Sequence, residues 1–155
     1  MLLGWLAAAT FGCRSTTPRA WNVNLNKVTI ASVEVDLIGI SPSEKPYWQS
    51  AKVDDYWQPG SSLRKDVANR RLSSDFKSGV TWTLERTNAV WQTWFNDGAT
   101  ELMVIARLPG SSFDNGPYDR RRIFVPLAPI YKAKNRTLQI EVQDEFIRVL
   151  TPTRS

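Results

Sequence analysis

The feature that most limits how this chain can fold is its single cysteine, Cys13, which closes an uncharged and mostly apolar run over residues 1–12. One cysteine cannot form an internal disulfide, so a domain within these 155 residues must be held together by packing. A chain of that length can bury a substantial core. Seven Trp, six Phe and four Tyr supply the apolar bulk for it.

The N-terminal run is too short to cross a membrane. Residues 2–12 are eleven uncharged residues, whereas a transmembrane helix needs about 20 apolar residues. Such a run suits the apolar core of a signal peptide, and Thr10-Phe11-Gly12-Cys13 resembles the bacterial lipobox in the small residue before its cysteine. We therefore predict a signal peptide over 1–12 and lipidation of Cys13. The alternative is a buried helix that ends in an inert core thiol.

Residues 13–26 are predicted to form a lipidated tether, because residues 14–19 are polar, unpatterned and broken by a proline. Two or three acyl chains of the palmitate type would hold the protein on a membrane, since each buried CH₂ contributes about 0.8 kcal/mol. No cofactor is expected besides this covalent lipid on Cys13. Arg14, which stands where an Asp would retain the protein in the inner membrane, favours the periplasmic face of the outer membrane.

Histidine is absent, which removes the commonest general base, the usual zinc ligand and the Ser–His and Cys–His nucleophile pairs. No glycine-rich phosphate loop is present either. A carboxylate pair of the glycosidase kind remains possible. However, Asp54-Asp55 and Asp144-Glu145 are sequence neighbours, and neighbours on a strand point to opposite faces. We predict that the chain is not an enzyme and binds neither a metal nor a small-molecule substrate.

The net charge of the chain is +5 and its pI is near 9.6. An exported domain meets no nucleic acid, and the basic residues are scattered except at Arg120-Arg121-Arg122. We therefore expect no nucleic-acid partner. The arginine run has two interpretations. It is either the solvated start of a strand behind Asp119, or a contact to an acidic partner or to anionic lipid headgroups.

Alternating apolar residues predict the strands. Val33, Val35 and Leu37 alternate with acidic residues inside a predicted strand over 28–40. Its earlier residues fall in the opposite phase, which indicates a bulge or a strand buried on both faces. Further strands are predicted over 80–84, 102–108, 123–127, 138–142 and 146–150, the last two as a hairpin. The apolar run 102–108 is typical of a central strand, whereas Pro126 indicates an edge.

Two short helices are predicted. One covers 63–72 with Ser62 as its cap. The other follows Asn88, carries an aromatic face and ends at Gly98. There is no β-α-β rhythm, so we predict a mainly β domain over 27–152, an antiparallel β-sandwich with two short helical covers.

The order of these features resembles a known family. A lipobox cysteine and tether precede a first strand, the acidic and aromatic segment 53–57, a polar helix, the apolar strand 102–106, a basic-to-apolar strand and a terminal hairpin. This layout is similar to that of the outer-membrane lipoprotein of type VI secretion, the TssJ family, whose fold is a transthyretin-like β-sandwich. The resemblance implies non-catalytic work: a domain anchored in the membrane by acyl chains binds the large inner-membrane protein TssM through its loops.

The loops 41–48 and 110–118 are the predicted contact sites. The predicted partner-binding residues in and beside them are Tyr47, Trp48, Phe113, Tyr118, Arg120 and Arg121. An alternative function is that of a sugar- or peptidoglycan-binding lipoprotein, because the flat faces of tryptophan rings stack on sugars and the chain has seven tryptophans.

Overall fold

The computed structural model describes residues 17–28, 31–76, 81–110 and 114–154. These residues form eight strands. In chain order they are β1 (Asn22–Lys27), β2 (Val33–Ile40), β3 (Arg71–Phe76), β4 (Thr81–Leu84), β5 (Glu101–Arg107), β6 (Arg122–Pro126), β7 (Thr137–Val142) and β8 (Ile147–Val149). Sheet A has the order β4-β1-β7-β8 and sheet B the order β3-β2-β5-β6. The predicted β-sandwich is confirmed.

One strand pair departs from the predicted antiparallel arrangement. Among the described strands, β1 and β7 run parallel and the other neighbours run antiparallel. A parallel pair needs a long connection between its strands, and here most of the domain lies between the two. Alternation of apolar residues is the same in both kinds of pair, so the sequence pattern did not reveal it.

The predicted strand over 28–40 is wrong at its start. β1 ends at Lys27 in sheet A, before the predicted start, and β2 begins only at Val33 in sheet B. Val28, one of the two residues in the opposite phase, therefore lies between the two strands and not in a bulge of β2. Ile30 lies outside the described residues, while Val28 is exposed and its backbone N donates a hydrogen bond to Val142 O.

The folded domain also starts earlier than the predicted boundary at residue 27. Trp21 is 3% exposed, and its indole Nε1 donates a hydrogen bond of 3.1 Å to Leu127 O. Its ring packs edge-on against Tyr131. The backbone N of Arg19 donates to Leu127 O as well. The C-terminal part of the predicted tether is thus ordered on the sandwich.

The main core lies between the two sheets. It is built by inward-facing residues of alternating strands, such as Val23 and Leu25 of β1, Val35 of β2, and Leu138 and Ile140 of β7. Sheet B is apolar on its other face as well, where Ile38, Ile40, Met103 and Ile105 form a second buried cluster. Strands buried on both faces have nearly continuous apolar sequences, which explains the run in β5.

Three short helices cover that second face of sheet B, and a fourth lies between β4 and β5. They are α1 (Lys45–Ser50), α2 (Val53–Trp57), α3 (Ser62–Asp66) and α4 (Val90–Asn96). The two predicted helices correspond to α3 and α4. The first helix is capped by Ser61 and is shorter than predicted. Its predicted last residues cannot be helical, because residues 71–76 pair with β2 as strand β3. None of the helices in the described ranges has the length and apolarity of a membrane span.

Helix α4 follows its prediction closely. Asn88 Oδ1 accepts a hydrogen bond from Val90 N at the start of the helix, and Gly98 ends it with a φ of +79°. Trp91 and Trp94 are buried on one face. Trp94 lies so close to β2 that a Cβ on Gly39 would be 2.4 Å from its ring.

The strand register defines two ends of the sandwich. At the proximal end, where the described chain begins, Arg19 meets Leu127, and Ile40 pairs with Glu101. At the distal end, Glu34 pairs with Arg107, and Ala106 N donates a hydrogen bond to Arg121 O. The seven residues of β5 separate the two ends by roughly 20 Å, at about 3.3 Å per residue.

Candidate functional site

The structure brings the two predicted contact loops together through one buried arginine. Arg122, which is 5% exposed, donates from Nη1 to Ala51 O at 2.6 Å and from Nη2 to Gln49 O at 2.9 Å. The same Nη2 donates to Gly116 O at 2.8 Å. The end of α1 is thereby joined to the 3-10 turn Gly116–Tyr118. Burial lowers the pKa of the Arg122 guanidinium, and three carbonyls surround it.

Arg121 forms a second buried connection, which joins the start of α2 to residues 114–119. Its guanidinium contacts Asp119 at 2.6 Å, Asp54 at 2.5 Å and Asp114 at 3.7 Å. The hydrogen bond to Asp119 is the main cause of a raised pKa of Arg121. For Asp119, burial opposes ionisation, but hydrogen bonds from the Arg121 side chain and backbone outweigh it and lower the pKa. A buried charge must be paired in this way to be tolerated.

Two predicted partner-binding residues are therefore not available on the surface. Arg121 is 6% exposed because its charge is used within the domain. Trp48 is 3% exposed, because residues 45–50 form a helix and not a loop, and this helix turns the indole onto sheet B beside Tyr56. Two of the three arginines in the basic run are thus buried. This corrects both interpretations, because each of them placed the run on the surface.

The other predicted residues among those described are exposed. Tyr118 is 85% exposed on the 3-10 turn, and Tyr47 is 52% exposed on α1. Arg120 is exposed and its guanidinium lies 4.4 Å from the centre of the Phe146 ring. Phe113 and Cys13 lie outside the described residues. We call Tyr47, Tyr118 and Arg120, with the backbone that Arg122 joins, the tyrosine surface.

The tyrosine surface reaches the distal end of the sandwich. Arg120 O accepts a hydrogen bond from Ile147 N, and the next residue, Arg121, is bonded to Ala106 at the distal end of β5. The described chain begins at the opposite end. Tyr118 and Arg120 therefore lie toward the end of the sandwich opposite to Arg19.

Sequence reasoning missed the acidic residues that hold this surface. Asp54 and Asp114 meet at Arg121, and the backbone N of Asp54 also donates to Asp114 at 3.2 Å. From sequence, Asp54 is half of a possible carboxylate pair and part of the acidic and aromatic segment 53–57. The available signal was the pair of acids, Asp114 and Asp119, just before the three consecutive arginines Arg120, Arg121 and Arg122.

The remaining carboxylates of the predicted pairs are exposed. Asp55 lies in α2, while Asp144 and Glu145 occupy the turn between β7 and β8. No group of three or more potential metal ligands occurs within the described ranges.

The tryptophans do not form an open platform in the part of the chain that is described. Trp21, Trp48, Trp91 and Trp94 are at most 3% exposed. Trp57 and Trp82 are partly buried against the two apolar clusters. Ring faces of this kind, which motivated the sugar-binding alternative, are mostly used for packing.

No protein-family model matches the chain, and no curated protein matches it. Solved structures do match its fold. A chain in a structure described as a type VI membrane complex matches with a TM-score of 0.58 and 12% identity, over 86% of this chain and 99% of that one. A structure of the TssM C-terminal domain from EAEC contains a match with a TM-score of 0.56 and 10% identity, over 84% and 99%.

The crystal structure of the type VI lipoprotein TssJ1 from Pseudomonas aeruginosa is also similar, with a TM-score of 0.50 and 10% identity, over 90% of this chain and all (100%) of that one. The resemblance to the TssJ family that the sequence layout predicted is therefore confirmed in the fold.

Proposed function

We propose that this chain is a non-catalytic, lipid-anchored component of a trans-envelope secretion complex and binds a large inner-membrane protein of the TssM kind through its tyrosine surface. The fold supports this role, because similar chains occur in structures described as a type VI membrane complex and as the TssM C-terminal domain. The anchor is an acylated Cys13, and the domain lies on the periplasmic face of the outer membrane.

The observation that carries the proposal is the position of the tyrosine surface. Its residues Tyr118 and Arg120 lie toward the distal end, and the described chain begins at the proximal end. Arg19 lies six positions after Cys13, which allows a reach of at most about 20 Å when the chain is fully extended. Such a short tether keeps the proximal end beside the membrane, so the distal end faces a partner that approaches across the periplasm.

The side chains on this surface suit a protein partner. Tyrosine is enriched among the residues that dominate binding energy, since its ring is large and its hydroxyl stays hydrogen-bonded. Tyr118 is 85% exposed, yet its turn is fixed by the hydrogen bond from Arg122 to Gly116 O. A rigid display reduces the entropy that is lost on binding.

The test is the affinity of the full-length lipoprotein in detergent for the periplasmic part of its TssM-like inner-membrane protein. We expect Tyr118→Ala to weaken binding by tenfold or more, in line with the roughly 2 kcal/mol typical of a hot-spot residue. Tyr47→Ala should have a smaller effect, because that ring is less exposed.

Leu150→Ala is the matched control, because Leu150 is an exposed apolar residue (44%) away from the tyrosine surface. It should leave the affinity unchanged. Equal affinities for Tyr118→Ala, Leu150→Ala and the unaltered protein would contradict the proposed function.

A further inference from the structure

A cationic cleft opens on the outer side of sheet B. It lies at the C-terminal end of α2, whereas the tyrosine surface lies near the N-terminal end of that helix. The cleft has a volume of about 300 Å³. The loop that follows Trp57 forms one wall, and four basic side chains, Arg64, Lys65, Arg71 and Arg107, line it as well. Neither the fold nor the proposed function uses this cleft.

A buried carboxylate fixes the first of these basic groups. Arg64 donates from Nε to Asp36 Oδ2 at 2.9 Å, and its Nη2 lies 3.2 Å from Glu34. Asp36 is fully buried (0% exposed) and also accepts hydrogen bonds from Tyr56 Oη and Ser73 Oγ. The face of the Arg64 guanidinium lies 4.5 Å from the centre of the Trp57 ring. Arg64 is therefore held in one position.

The cleft keeps a positive charge after these pairs are counted. Asp36 and Glu34 are the two carboxylates in contact with its four basic side chains, which leaves two positive charges. Lys65 is exposed, and no ion pair joins it to a described residue. Arg107 is 63% exposed and lies 3.6 Å from Glu34. In addition, Arg64 Nη1 has no hydrogen-bond partner within the described ranges, although a guanidinium has five N–H donors.

The cleft and the tyrosine surface are neighbours. Asp54, near the start of α2, binds Arg121, and Trp57, at the end of α2, lines the cleft. A helix of five residues is only about 7 Å long. A single protein partner can therefore contact both places.

We propose that this cleft binds an acidic segment of the protein partner and places a carboxylate against Arg64, Lys65 and Arg107. Guanidinium groups pair with carboxylates in fixed geometry, and Arg64 is already fixed by Asp36 and Trp57. A protein segment is favoured over a lipid headgroup because Arg107 marks the distal end of β5, away from the proximal end that the tether holds at the membrane. The inference rests on the proposed function, since it describes the chemistry of the same partner.

The experiment measures binding of a fluorescein-labelled hexaglutamate peptide to the full-length lipoprotein in detergent at low ionic strength, by fluorescence anisotropy. Hexaglutamine is the neutral probe. We expect saturable binding of hexaglutamate alone, weakened by added salt. The double variant Lys65→Gln/Arg107→Gln should bind about three- to tenfold more weakly, the effect of losing two exposed charge contacts.

Lys132→Gln/Lys134→Gln is the charge-matched control, because both lysines are exposed and lie outside the cleft. It should bind hexaglutamate as the unaltered chain does. Equal weakening in both double variants would overturn the inference, because it would show a general charge effect. A lipid ligand would also overturn the inference. In that case the unaltered protein would bind vesicles that contain phosphatidylglycerol, the cleft variant would not, and neither protein would bind hexaglutamate.

The failure of the inference and that of the proposed function are distinguishable. If the cleft variant binds the inner-membrane partner normally and Tyr118→Ala does not, the function stands and the cleft inference is wrong. If the cleft variant loses hexaglutamate binding while the unaltered chain does not bind that partner, the acid-binding cleft is supported and the proposed function is wrong.

Discussion

Arg122 Nη2 donates a hydrogen bond of 2.8 Å to the backbone oxygen of Gly116, two residues before the most exposed tyrosine of the described chain. The same guanidinium holds the end of α1 through two further carbonyls. A single buried cation thus fixes two segments that are far apart in sequence, and the shape of the tyrosine surface depends on it.

Replacing Arg122 with methionine should destabilise the fold and weaken partner binding together. The variant keeps an apolar side chain but leaves three carbonyls unpaired, and each unpaired buried group costs about 1–3 kcal/mol. Urea unfolding should show a loss of roughly 3 kcal/mol or more. Arg122→Lys should recover only part of it, because an ammonium group lacks the planar fork of donors. Full stability of the methionine variant would argue against this role.

Acid should unfold the domain partly through Asp119. Its pKa is lowered in the folded state from an ordinary value of 3.8, so the unfolded chain takes up the proton at a higher pH than the folded one does. The stabilising contribution is present above pH of about 4 and is lost as the pH falls through the lowered pKa. We expect the free energy of unfolding to decrease as the pH falls below about 4. Asp119→Asn should be less stable at pH 7 and show a shallower decrease, whereas parallel curves would exclude Asp119 as a source.

Gly39→Ala should be strongly destabilising, because the new methyl group would lie 2.4 Å from the Trp94 ring. Overpacking of this kind costs about 1–3 kcal/mol and sometimes more. A smaller side chain at Trp94 should relieve part of the clash. We therefore expect Gly39→Ala to cost less in a Trp94→Leu background, and a double-mutant cycle from thermal unfolding measures the difference. Strict additivity would contradict this packing relationship.

Cys13→Ala should abolish membrane attachment if the cysteine is acylated. The mature native protein should begin at Cys13 and carry the mass of its acyl chains, while the variant should keep residues 1–12 and lack lipid. Intact-mass spectrometry of both proteins checks the result, and fractionation shows whether the domain leaves the membrane. A native protein with residues 1–12 present and a free thiol would contradict the anchor.

Six of the eight described strands could be predicted from sequence, since alternation is a local signal, whereas β1 and β3 were missed. It identified the inward face of β2 at Val33, Val35 and Leu37, and Pro126 indicated the edge position of β6. The parallel pairing of β1 with β7 could not be predicted, because it is a relationship between segments far apart in sequence.

The site could be predicted only in part. The exposure of Tyr47 and Tyr118 agrees with the sequence, but α1 has six residues and no helical period from which its existence or the burial of Trp48 could be read. The burial of Arg121 depends on Asp54, which comes from α2, 67 positions earlier in the chain. The sequence alone does not show that the Arg121 charge is neutralised, because the acid and the arginine meet only in the folded chain.

The most direct test of the account is photo-crosslinking in living cells, with benzoylphenylalanine placed at position 118 or, as the control, at position 150. We expect a crosslink from position 118 to the large inner-membrane protein of the secretion complex, and none to that protein from position 150. The same crosslink from both positions, or none from position 118 in cells with an assembled complex, would contradict the claim that the tyrosine surface binds this partner.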